Sequence, residues 1–147
     1  MRIQEHDLYH GAALTQIVEH GSFAALSRDG GTRGLYRINN DRHLLIKYSS
    51  GFRTDHKYLF TFNDDQLQAL DDCEKFSPGK VFAALVCGGT MICALSLREL
   101  GALVDLSGAS QQWVTVECPQ GKAMRTEGTR GRGPKVSQNT FPGKVLG

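Results

Sequence analysis

Ala13, Leu14, Ile17 and Val18 recur at three-and-four spacing behind Asp7, which predicts a capped amphipathic helix stopped at His20-Gly21. The pattern then turns to short apolar runs between turn residues: Phe23 to Leu26, Leu35 to Ile38 and His43 to Tyr48, separated by Asp29-Gly30-Gly31-Thr32 and Asn39-Asn40-Asp41-Arg42. Gly, Asn and Asp tolerate the positive φ of tight turns, so these runs read as three successive antiparallel strands. Tyr58 to Phe62 is a fourth strand by its aromatic content and is placed as an extension of the same sheet.

Asn63 followed by Asp64, Asp65 and Gln66 predicts a capping box, with Leu67, Leu70 and Cys73 on the buried side of a second helix that ends before Ser77-Pro78-Gly79. Val81 to Cys87 is apolar throughout, as a strand buried on both faces would be, and Gly88-Gly89 turns it into a partner at Met91 to Leu95. Ser96-Leu97-Arg98-Glu99 opens a third helix, and Trp113 to Val116 with Ala123 to Glu127 form a late hairpin. The expectation is an α/β (α+β) fold in the order α-β-β-β-(β)-α-β-β-α-β-β. It has one central mixed sheet with antiparallel hairpins, flanked by about three helices.

The 147 residues are 40% hydrophobic and 22% charged, enough for one packed core without staples. A polar amino terminus and no long apolar run point to a cytoplasmic protein without membrane partners. Cys73, Cys87, Cys93 and Cys118 fall in predicted helix or strand and read as reduced core thiols without zinc-ligand spacing; of the five histidines, His6 and His10 share a four-residue spacing, but a cap at Asp7 leaves His6 outside the helix. Gly88-Gly89 and Gly30-Gly31 lack the Gly-Lys-Ser/Thr ending of a phosphate loop.

Charge sharpens the picture. Residues 1 to 117 hold eleven Lys/Arg against fourteen Asp/Glu, while residues 118 to 147 hold six against one. We therefore divide the chain into a single α/β domain over 1–127 and a basic segment over 128–147, packed on it by Phe141, Val145 and Leu146. Arg130-Gly131-Arg132-Gly133-Pro134-Lys135 is too rich in Gly for helix or strand, and resembles an AT-hook core with Gly133 inserted before the proline. Clustered cations attract polyanions, so Arg130, Arg132, Lys135, Lys122 and Arg125 are the candidate nucleic-acid contacts.

The element order α-β-β-β-α-β over residues 8 to 95, with Asp41 before the third strand and Lys47 on it, resembles the restriction-endonuclease-like PD-(D/E)XK superfamily. The resemblance implies Asp41 as a Mg²⁺ ligand and Lys47 as the group that orients water and steadies phosphate charge, giving a Mg-dependent nuclease if the chain is an enzyme. Leu45 stands two before Lys47 where the family has an acid, so the implied metal site is decayed or absent. The sequence thus reads as a nucleic-acid-binding domain of nuclease-like fold. The alternative is a small accessory or inhibitor protein that docks on a protein partner, with the acidic second helix or the basic end as its surface.

Overall fold

The computed structural model describes residues 1–21, 24–51, 56–107 and 110–147. In chain order the elements are α1 (Glu5–Val18), β1 (Leu26–Arg28), β2 (Leu35–Ile38), β3 (Arg42–Ser49), β4 (Lys57–Phe62), α2 (Asp64–Phe76), β5 (Val81–Cys87), β6 (Met91–Ser96), α3 (Leu97–Leu103), β7 (Gln112–Glu117), β8 (Met124–Gly128), β9 (Gly131–Val136) and α4 (Gly143–Leu146). The α/β class is as expected. Phe23, placed on the first strand by sequence, lies outside the described residues.

There are two sheets where the sequence suggested one. The first runs β1-β2-β3-β5-β6 and is mixed: β3 and β5 are parallel and the other pairs antiparallel. The second is antiparallel in the order β4-β7-β8-β9. β4 leaves the first sheet because its partner is β7, about fifty residues later, and no local pattern announces that pairing.

Strand period two divides the core. Leu44, Ile46, Ala84 and Val86 face α1 (Ala13, Ile17) and the carboxy-terminal Phe141 and Val145. Leu45, Ala83, Leu85 and Leu95 face the opposite way, onto Leu67, Leu70 and Cys73 of α2, Leu100 and Leu103 of α3, and the inner side of the second sheet. The runs 44–46 and 83–86 are wholly apolar because both faces of β3 and β5 are covered.

Local signals hold at the helix starts, with one shift. Asn63 Oδ1 accepts from Gln66 N at 2.8 Å and Ser96 Oγ from Glu99 N at 3.2 Å, so both predicted capping boxes form. Asp7, read as the cap of α1, sits three residues inside it; its Oδ2 accepts from Gln4 N at 2.9 Å, so the helix begins earlier. The loop between β5 and β6 holds three residues, Gly88 to Thr90.

The basic segment corrects the expectation most. Residues 131–136 form β9, the edge strand of the second sheet, and Phe141 and Val145 anchor the chain beyond it. Pro134 fits because an edge strand has one side without ladder bonds, and the Thr126 hydroxyl donates to its carbonyl at 2.6 Å. The glycines give room: a Cβ at Gly133 would stand 2.3 Å from Leu103 Cδ2, so the strand reaches α3 only without side chains there. Among the described residues, no helix is long and apolar enough to cross a membrane.

Candidate nucleic-acid interface

Lys47 points to the α2 side of β3, the face it shares with Leu45. Its Nζ donates to Gln66 Oε1 at 3.0 Å and lies 5.1 Å from the centre of the Phe62 ring. Gln66 is held in place by the capping box, since the same oxygen accepts from Asn63 N at 3.1 Å. β2 pairs with β3 only as far as Leu45, which leaves a notch beside residues 46–48, lined by His6, His10, Arg33, Lys47, Tyr48 and Gln66. Among the described residues cations and neutral groups line it, and carboxylates touch that lining: Asp7 Oδ1 is 3.2 Å from His6 Nε2, and Glu5 is hydrogen-bonded to Tyr48. Burial pushes the Lys47 ammonium down to about 8; burial, then His6 and Arg33, also lower His10, whose Nδ1 meets the Tyr36 hydroxyl at 3.3 Å.

Asp41 is not brought to Lys47. It lies in the turn before β3, about 20 Å along the strand at ~3.3 Å per residue. There it accepts from Lys80 Nζ at 2.9 Å and Arg42 Nη1 at 3.0 Å. The hydrogen bond from Lys80 is the main force holding its carboxyl below the ordinary range. Asp41 therefore has the partners of a turn-locking residue, and the pair implied by the nuclease resemblance does not form one site.

The basic candidates divide. Arg130 is used structurally: its Nη1 donates to Gly101 O at 3.1 Å and its backbone N–H to Leu103 O at 2.8 Å, capping carbonyls at the end of α3. Lys122 is exposed in the turn between β7 and β8, and its carbonyl accepts from Gln138 Nε2 at 2.7 Å. Arg125, Arg132 and Lys135 come together on the outer face of the second sheet.

Strand register makes that face regular. Lys57, Glu117, Arg125 and Lys135 follow one another across all four strands, and Leu59, Thr115, Glu127 and Arg132 form the next row. A shallow groove of about 390 Å³ runs over these rows and presents four cations against two carboxylates. A third row continues the face with Thr61 opposite Trp113, a residue 39% exposed beside Leu59. Among the described residues no helix covers this side. The sequence missed Lys57 because it lies more than sixty residues before the basic end; only the pairing of β4 with β7 brings it into the row.

A second polar cluster was invisible to motif spacing. Asp29, His43 and Ser77 are hydrogen-bonded in series: Asp29 Oδ2 to His43 Nδ1, then His43 Nε2 to Ser77 Oγ at 3.1 Å. This is the connectivity of a serine nucleophile with its base and orienting acid, but acyl transfer also needs free N–H donors for the oxyanion. The amides of Ser77, Gly79 and Lys80 are spent on Cys73 O, Glu74 Oε1 and Ser77 O, and Pro78 has none. The arrangement orders α2 against β3, and the amides next to Ser77 are already engaged.

No known protein family, curated protein or solved structure matches this chain.

Proposed function

We propose that the protein binds single-stranded nucleic acid on the open face of its second sheet, without cleaving it. The observation that supports this most directly is one uncovered sheet face carrying Lys57, Arg125, Arg132 and Lys135 next to the exposed Trp113. Cations at strand spacing can track a phosphate backbone, and an exposed indole accepts a base of any identity by stacking. Glu117 and Glu127 lie between the cations and discourage close packing of a duplex with its two phosphate rows, which favours a single strand. The cations Lys47 and Arg33 in the notch support phosphate contact there as well.

Anisotropy of a fluorescent oligothymidine, with an oligouridine and a duplex of equal length beside it, tests the reading. The single strands should bind at low salt with log affinity falling on log salt at a slope of about −2 to −3, as expected for three or four phosphate contacts. Changing Lys57, Arg125, Arg132 and Lys135 together to Gln should flatten the slope to about −1 or less, the share left to the Lys47 notch. Trp113→Ala should weaken binding by about 1–3 kcal/mol and leave the slope unchanged. No binding at low salt, or affinity that survives the quadruple change, would overturn the proposal; retention of a protein partner on the same face would then favour the docking alternative.

A further inference from the structure

We propose that Asp29, His43 and Cys73 form a zinc-binding site at the end of the first sheet remote from Lys47. The three residues come from the loop after β1, the start of β3 and the last turns of α2, and one potential ligand atom of each lies within 4.8 Å of the others. Cys73 Sγ is 3.8 Å from Asp29 Oδ2, and His43 Nδ1 is hydrogen-bonded to that same oxygen. Bond lengths of about 2.0 to 2.3 Å around tetrahedral zinc put its ligands about 3.2 to 3.8 Å apart, a spacing small side-chain rotations reach from here. Mixed nitrogen, oxygen and sulfur donors suit zinc rather than Mg²⁺ or Ca²⁺, which take oxygen.

The atoms turned away from the centre carry the argument further. Asp29 Oδ1 accepts from Arg37 Nη2 at 3.2 Å, and His43 Nε2 lies 3.1 Å from Ser77 Oγ. Ligating His and carboxylate groups in metal sites are held by such outer partners, which fix the ring and free the inner atoms for the metal. The Phe76 ring packs edge-on to His43 and beneath the Arg37 guanidinium. Zinc entry breaks the His43–Asp29 hydrogen bond and forms bonds to Nδ1, Oδ2 and Sγ. The Cys73 thiol proton leaves to solvent, His43 keeps one proton, now on Nε2 and donated to Ser77, and water completes the fourth position. Two anionic ligands then neutralise the ion.

Cobalt(II) and zinc titrations of the chelator-treated full chain test this. Cobalt should bind at one equivalent with a thiolate-to-metal charge-transfer band, and zinc should displace it. Cys73→Ala should remove the band and lower affinity at least about tenfold, and Asp29→Asn, which keeps the shape of the side chain, should lower it comparably. The wild-type cobalt spectrum and Asp29→Asn decide the matter even if Cys73→Ala fails to fold. A spectrum without thiolate character, as a His6–His10 site would give, overturns the proposal. A band that survives in folded Cys73→Ala, or wild-type affinity in Asp29→Asn, overturns it equally.

Discussion

Gly128→Ala unfolds at a clearly lower urea concentration than the parent, with an unchanged dependence on denaturant. An added Cβ at this position would stand 2.4 Å from Leu103 O, 2.8 Å from Leu103 Cβ and 2.9 Å from Leu103 C. Two of these are backbone atoms at the end of α3, and Arg130 N–H donates to the same carbonyl at 2.8 Å, so the helix cannot retreat without losing that bond. Overpacking of a filled interior costs about 1–3 kcal/mol, and a clash with backbone belongs at the upper end. At Gly133 the nearest atom is the tip of the Leu103 side chain, so Gly133→Ala should cost less. Gly89→Ala, where nothing lies within 4 Å, should stay within about 0.5 kcal/mol of the parent. Equal effects at Gly128 and Gly89 would mean that α3 does not rest on β8 as described.

The same glycines explain where the sequence misled. Gly131, Gly133 and Pro134 each lower strand propensity, so a local reading sees a loose basic end; what makes β9 a strand is its pairing with β8 and the close approach to α3, both tertiary. Elements set by their own residues were legible: the Asn63 and Ser96 boxes, the aromatic content of β4, the wholly apolar β5. Partnerships between distant strands were not. Nothing near Tyr58 to Phe62 says that β7 rather than β3 is its neighbour. The basic surface was half legible for the same reason, since Arg125, Arg132 and Lys135 follow from charge counting and Lys57 does not. The Asp29–His43–Cys73 cluster left no trace, because Asp29 lies 14 residues before His43 and 44 before Cys73 and no spacing rule spans such intervals.

Lys47→Met raises stability at pH 7, the opposite of what a core substitution usually does. Burial lowers the Lys47 ammonium from 10.5 to about 8, while the unfolded chain titrates near 10.5. Between these values the unfolded state holds more protons than the folded one, so the parent gains stability as pH rises through the window. Below about 8 the charged side chain costs the fold on the order of 2–3 kcal/mol. Methionine keeps the stem and removes the charge. It forfeits the hydrogen bond to Gln66 and the contact with the Phe62 face, worth about 1 kcal/mol together, so a net gain of about 1–2 kcal/mol is expected at pH 7. That margin should shrink above pH 8, reach zero between about pH 9 and 10 and reverse by about 1 kcal/mol above 10.5, where only the lost contacts remain, as thermal unfolding across the range would record. A lysine that weakens its own fold beside Arg33, with Asp7 taken up by His6 and Glu5 by Tyr48, has the placement of a residue that meets an anion rather than one kept for packing. The variant that folds more tightly should therefore bind oligothymidine less well. Greater stability with undiminished affinity would confine the nucleic-acid surface to the second sheet, and lower stability at pH 7 would remove the case for an uncompensated charge at Lys47.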